Sequence, residues 1–270
     1  MQIAFLGGGN MASALIGGLL GRGYSGGQIT VLEFLAEKRA ALVERYAVRA
    51  IATADAPALA ADTLVLAVKP QDLRAALAPI APPRAEQLVI SIAAGARIAD
   101  ISRWLGGHQR LVRAMPNMPA LIGCGASALY APRGVGVEER SRAEAILAAV
   151  GAVVWVDDER LLDAVTALSG SGPAYVFWFI EQLAASGEAM GLPPGVAARL
   201  ALETVLGAAR LAAQSAHSPS TLRAQVTSKA GTTEAALRVF DEERLAERLR
   251  RALEAANRRG AELGEQLGKD

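Results

Sequence analysis

Residues 2–12 read Gln-Ile-Ala-Phe-Leu-Gly-Gly-Gly-Asn-Met-Ala. An apolar run of strand type passes through three glycines into an alanine- and leucine-rich stretch, Met11 to Leu20, of helical character. Gly7, Gly9 and Ala12 fit G-x-G-x-x-A in the context that pattern requires, between a strand and a helix. In this reading Gly7 allows the tight turn, Gly9 lets the backbone approach a pyrophosphate, and Ala12 lets the helix pack closely on the sheet. The helix N-terminus adds free amides and a dipole that favours negative charge. A purely structural turn can also use a glycine triplet. Placed at the first βαβ turn, the stretch predicts that Gly7, Gly8, Gly9, Asn10 and Met11 hold a dinucleotide.

The residues beyond extend the same rhythm. QIAFL is followed by ITVL, TLVLAV, QLVISIA and RLVRAM, separated by alanine-rich helical stretches. Such alternation predicts βαβ units and a parallel sheet. The strands are almost wholly apolar, as expected when helices cover both faces. From about Asp158 the pattern becomes helical, with helices expected at Leu161–Leu168, Pro173–Met190, Pro194–Gln214 and Glu242–Leu267. The fold class expected is therefore α/β: a doubly wound dinucleotide-binding domain over residues 1–158, then an all-α domain over 159–270. A shift in composition alone marks that boundary.

Composition narrows the partners. The chain has 270 residues, 52% of them hydrophobic, enough for a sizeable core. A net charge of +1 gives no electrostatic footprint for nucleic acid or an anionic membrane. Apolar runs such as Tyr175–Ile180 are far shorter than the roughly 20 residues that span a bilayer. A strand and turn at residues 2–9 leave no room for a leader, so a cytoplasmic location is expected. The single cysteine, Cys124, excludes an internal disulfide framework and reads as structural. His108 and His217 have no neighbouring ligands in sequence, and no metal is expected.

Four further stretches carry candidate chemistry. Glu33 follows the second strand at the spacing where a carboxylate accepts hydrogen bonds from an adenosine ribose and repels a 2′-phosphate. The lean is therefore to NADH, although Lys38 and Arg39 could serve NADPH. Ala67-Val68-Lys69-Pro70 and Ala93-Ala94-Gly95 lie at strand C-termini, where open α/β sheets bind ligands, and Lys69 could meet a phosphate or a ribose hydroxyl. Asn117, between two prolines, could bond a carboxamide or its own neighbours. The run from Ser169 to Pro173 is compatible with a tight helix crossing or with a substrate pocket. In Val226–Leu237, VTSKAGTTEAAL, Gly231 breaks the preceding structure and Thr232 and Thr233 are N-cap candidates for a helix. Its amides, with Lys229 beside them, suit a carboxylate.

Taken in order, FLGGGNMA, AVKPQ, SIAAG, RAMPNMPA, DAVTALSGSGPAYVF, MGLP and VTSKAGTT resemble the pyrroline-5-carboxylate reductase family over nearly the whole chain. The resemblance implies a Rossmann domain binding NADPH or NADH and a helical domain that pairs with its twin as a homodimer, often assembled further into a homodecamer. It implies hydride transfer to C5 of 1-pyrroline-5-carboxylate, giving L-proline. By the same resemblance Thr233 bonds the ring nitrogen, while Ser228, Gly231 and Thr232 hold the substrate carboxylate. Three departures stand out: Lys229-Ala230 where the family usually has a glycine second, Ala185 in place of an aspartate, and Phe34 where NADP-using members carry a basic residue. A positive φ at Ala230 would cost on the order of 1 kcal/mol. The alternatives are another reductase of the β-hydroxyacid dehydrogenase kind, with Lys69 in a catalytic role, and a nonenzymatic NAD(H) sensor.

Overall fold

The computed structural model describes residues 1–80 and 82–269. In chain order the elements of the first part are β1 (Ile3–Leu6), α1 (Asn10–Gly21), β2 (Ile29–Leu32), α2 (Ala36–Tyr46), β3 (Arg49–Ile51), α3 (Ala56–Leu59), β4 (Thr63–Leu66), α4 (Leu73–Leu77), β5 (Leu88–Ser91), α5 (Ile98–Trp104), β6 (Leu111–Met115), β7 (Gly125–Tyr130), α6 (Val137–Ala148) and β8 (Gly151–Trp155). They form one sheet of order β3-β2-β1-β4-β5-β6-β7-β8, parallel throughout except between β6 and β7. The first six strands have the 3-2-1-4-5-6 order of a Rossmann sheet, with the reversal of winding between β1 and β4.

Alternation along each strand builds two cores. Ile3 and Phe5 point to one face, with Val31, Ile90 and Val112, and α1 covers them with Leu15, Ile16 and Leu19. Ala4 and Leu6 point to the other, with Leu64, Leu66 and Val89, under Leu73, Leu77 and Ile101 of α4 and α5. Strands that are almost wholly apolar are thus explained by helices on both faces. Each wholly buried leucine or isoleucine contributes roughly 1.5–3 kcal/mol relative to exposure.

Three strands were not anticipated from the sequence. β3 has only three residues, and β7 and β8 open with glycine and alanine, residues of low strand propensity. The glycines are required there: a Cβ on Gly151 would lie 1.9 Å from the carbonyl oxygen of Gly125 on the neighbouring strand.

The helical elements are α7 (Leu161–Val165) with a π turn at Thr166–Gly170, then α8 (Gly172–Ala189), α9 (Pro194–Gln214), α10 (Pro219–Gln225), α11 (Thr232–Glu242) and α12 (Leu245–Lys269). The helix expected over Glu242–Leu267 begins instead at Leu245. Arg244, at φ +52°, separates it from α11. The chain divides into two compact units, Met1–Ser171 with Ala256–Asp270, and Gly172–Ala255. These breaks fall later than the composition shift, because α7 and the end of α12 pack on the sheet unit. Within the second unit α8 and α9 form an antiparallel pair turned at Gly191, φ +97°, where Gly187 and Ala197 bring the helices together. Among the described residues no helix is long and apolar enough to cross a membrane.

Candidate functional site

In the sheet unit, the predicted dinucleotide residues converge at the C-terminal ends of β1, β2, β4 and β5. Gly7 donates its amide to Leu32 O (2.8 Å), Ala67 to Leu6 O (2.8 Å) and Ile92 to Leu66 O (3.1 Å), so the strand ends are laced into one ledge. Gly7 has φ +100°, and a Cβ there would lie 2.9 Å from the Ala67 carbonyl oxygen and from Val68. At Gly9, the N-cap of α1, a Cβ would meet nothing within 4 Å. No side chain caps this helix, leaving its first amides, those of Asn10, Met11 and Ala12, for an anion. A tight turn, an open cradle and an uncapped helix start together fit a pyrophosphate.

Glu33 is buried at the end of β2 with both carboxylate oxygens engaged. Oε2 accepts the Gly8 amide at 3.0 Å and Oε1 the Leu35 amide at 3.0 Å. Arg39 turns back to the carbonyls of Glu33 and Phe34, at 2.8 Å each. A carboxylate oxygen accepts more than one hydrogen bond. Glu33 can therefore fix the glycine loop and still accept from a ribose. Lys69 is exposed ahead of Pro70, and Phe34 is exposed beside Glu33.

Beyond β5, the Ala93–Ile98 loop is held by groups that the sequence reading does not single out. Ile98 N and Arg113 Nη1 both donate to Glu159 Oε1, at 2.7 Å each, and Arg97 pairs with Asp163 at 2.5 Å. Burial pulls the Arg113 guanidinium below its ordinary range, and the hydrogen bond to Glu159 opposes this. The available signal was the place of Arg97, two residues after Gly95. Asn117 serves its own neighbours: it accepts from Ala126 N (2.8 Å) and donates to Ser169 (3.2 Å to Oγ). Gly170 packs so closely on Met115 that a Cβ would lie 2.4 Å from its methyl carbon. Of the two readings of Ser169–Pro173, these contacts favour close packing. Among the described residues no cluster of three or more histidine, cysteine or carboxylate side chains could hold a metal.

In the helical unit, α11 starts one or two residues earlier than expected. Gly231 is the N-cap, and Thr232 and Thr233 occupy the first two helical positions rather than capping it. The reason is the turn before it. Ala230 has φ +58°, the Gly231 amide donates to Ser228 O (3.0 Å), and the Ala230 amide donates to Glu234 Oε2 (2.7 Å). Two of the loop's amides are thus satisfied internally. Those of Thr232, Thr233 and Glu234 remain as orphan donors of the first turn. A depression of 550 Å³ at this helix start is lined by Thr227, Ala230, Gly231, Glu234, Arg238 and Asp241. Neither Thr232 nor Thr233 lines it.

Comparison with known proteins accounts for both units. Residues 159–263 match the family model for pyrroline-5-carboxylate reductase dimerisation, and residues 2–95 the model for NADP oxidoreductase, coenzyme F420-dependent. The pyrroline-5-carboxylate reductase of Pseudomonas aeruginosa is 45% identical over 269 residues, spanning 99% of this chain and 98% of the relative. That of Synechocystis is 41% identical over 98% of each chain. Among solved structures, a pyrroline-5-carboxylate reductase from Coxiella burnetii superposes with a TM-score of 0.91 at 41% identity, covering 97% of this chain and 98% of that one. The Plasmodium falciparum pyrroline carboxylate reductase with NADP bound superposes at 0.85 and 26% identity, covering 98% of each. With relatives of this similarity matching from end to end, the chain belongs to the pyrroline-5-carboxylate reductase family.

Proposed function

We propose that the chain reduces 1-pyrroline-5-carboxylate to L-proline with NADPH or NADH. The observation that carries this reading is the 45% identity to a pyrroline-5-carboxylate reductase over both complete chains. The reduced nicotinamide supplies the hydride. The electron pair of the C=N bond moves onto nitrogen as C5 accepts the hydride, and nitrogen retains a proton taken from solvent. An iminium is the better acceptor, so the protein has little acid–base chemistry to perform. Its task is orientation and charge placement.

Gly7, Gly8, Gly9, Asn10 and Met11 hold the pyrophosphate, and Glu33 the adenosine ribose. Ala67, Val68, Lys69, Pro70, Ala93, Ala94 and Gly95 line the nicotinamide side. Ser228, Gly231 and Thr232 receive the substrate carboxylate with the dipole of α11 behind them, and Thr233 bonds the ring nitrogen. Because Gly231 N already donates to Ser228 O, the part of Gly231 is to shape the turn, and the Thr232 and Thr233 amides do the binding. A sheet unit and a helical unit divide these tasks, with α7 and the last turns of α12 belonging to the sheet unit rather than to a second domain over 159–270. The working protein is a homodimer in the cytoplasm, able to assemble into a decamer, and sedimentation of the purified protein tests that size.

One assay decides the activity. Purified protein mixed with pyrroline-5-carboxylate and NADH or NADPH consumes the reduced nicotinamide, followed by its absorbance. Thr233→Ala lowers turnover by about 10-fold or more, the loss of one positioned hydrogen bond. Oxidation of a hydroxyacid, with none of the imine reduced, would establish the β-hydroxyacid dehydrogenase reading instead. Binding without turnover of either substrate would point to a sensor.

A further inference from the structure

The loop after β5 is clamped by the far end of the chain. Gly95 has φ +79°, and its carbonyl lies against the backbone of α12: a Cβ built on Gly264 would come 2.9 Å from Gly95 O and 3.1 Å from Arg97 Nε. Conversely, a Cβ on Gly95 would meet Gly264 N at 3.3 Å and Leu267 Cδ1 at 3.5 Å. The approach is possible because Gly260, Gly264 and Gly268 recur every four residues and share one helix face. Built Cβ atoms there would meet Asp163 at 3.7 Å and Asp100 at 2.8 Å, under Gly260 and Gly268 respectively. Polar groups tie the same region to α12 through α5 and to α7. Arg103 Nη2 donates to Gly268 O at 3.0 Å, Arg97 pairs with Asp163, and Arg97 Nη1 is buried without a hydrogen-bond partner.

The strand order says what the clamp touches. With the pyrophosphate at the β1 turn, the adenosine half lies toward β2 and Glu33. The nicotinamide half lies toward β4 and β5. We propose that the last turns of α12 are a positioning brace for the nicotinamide half of the cofactor site, acting through Gly264 and Leu267 on the backbone of Gly95. The proposal rests on the strand-end ledge being the dinucleotide site. Gly264 and Leu267 touch neither cofactor nor substrate in this scheme. They set the place of the loop that does, and small displacements of a reacting ring are costly in hydride transfer.

The test separates the two halves of the cofactor. Intact wild-type protein, Gly264→Ala and Leu267→Ala are each titrated with the preferred reduced dinucleotide and with its adenosine fragment, ADP for NADH or 2′,5′-ADP for NADPH. Alanine is the better helix former, so Gly264→Ala does not weaken α12 itself. Expected for Gly264→Ala is a rise of about tenfold in the dinucleotide Kd with the fragment's Kd changed by no more than about twofold. Leu267→Ala, which removes a contact without creating an overlap, moves the same ratio by about threefold. If Gly264→Ala does not fold, Leu267→Ala decides. Equal loss of both ligands, or no loss of either, overturns the brace. Failure of the wild-type protein to bind any reduced nicotinamide dinucleotide would instead overturn the reading of the ledge, and the brace with it.

Discussion

At Ala230 a single methyl group works against the turn that carries it. Its φ of +58°, after a residue of negative φ, is the geometry that a type II turn gives its third residue, and glycine is favoured there. The left-handed region costs an L residue roughly 1–2 kcal/mol, partly offset because glycine would add about 0.4–1 kcal/mol of unfolded-chain entropy. The Glu234 carboxylate, accepting the Ala230 amide, helps to hold the strained residue. Ala230→Gly should therefore raise the melting temperature by about 1–3 °C in calorimetry. A lower midpoint would mean that the alanine packs usefully. This strain was legible in the sequence, since Lys229-Ala230 was where the family pattern fitted least. The Glu234 bond was not, because it depends on where α11 begins. Glu33 shows the same division. Its spacing marked it as a ribose carboxylate, whereas its grip on the Gly8 and Leu35 amides belongs to the folded loop. Glu33→Gln keeps an acceptor for Gly8 while removing the charge that repels a 2′-phosphate. The ratio of KM for NADPH to KM for NADH should fall by about 3- to 10-fold, equivalent to roughly 1 kcal/mol. An unchanged ratio would show that Glu33 supports the loop alone.

Among the elements, legibility followed the strength of local pattern. β1, β2, β4, β5 and β6 carry runs of leucine, isoleucine and valine buried on both faces, and each was visible as a strand. β7, reading GASALY, has alanine and serine where propensity is low, and becomes a strand because β6 and β8 pair with it on either side. The break between α11 and α12 was placed a few residues early, before Glu242, because the sequence around Arg244 continues a helical pattern of charges. Side chains also lock elements together. His108, before β6, is buried with Nε2 at 2.9 Å from Gln87 O, at the start of β5. Burial, the larger influence, lowers the His108 imidazole below the ordinary histidine range, against hydrogen bonds with the backbone of Gln87 and Arg110; the charge of Arg110 lowers it slightly further. The unfolded chain therefore takes up the proton first. Stability is complete above about pH 6.5, the unfolded value, and is lost as pH falls from there toward the lower folded value. The melting temperature should decline between about pH 7 and pH 5, and His108→Gln should flatten that decline. An identical slope in the variant would assign the loss to other groups.

The whole molecule is incomplete as a single chain in one respect that the structure displays. Val176, Phe177, Trp178 and Phe179 are consecutive in α8, and consecutive residues point to different sides of a helix. All four are more than 40% exposed, Trp178 the most at 59%. One partner helix in the same unit, α9, covers only part of such a surface, and α9 itself exposes Leu200, Leu202 and Leu211. A helix apolar on more than one side requires burial on more than one side. Residues 159–263 match a dimerisation family model, and a second copy of the chain is the occupant this face is expected to meet. The sequence showed the apolar run but not its exposure, since a core helix would read the same. Trp178→Glu tests the argument at its centre. Interface tryptophans commonly carry 2 kcal/mol or more, and an unpaired buried carboxylate adds a desolvation penalty. Dimer affinity should fall by about 100-fold or more. Light scattering at micromolar concentration should then report monomers with the circular dichroism of a helical fold retained. Wild-type mass in the variant would place the dimer contact away from this face of α8.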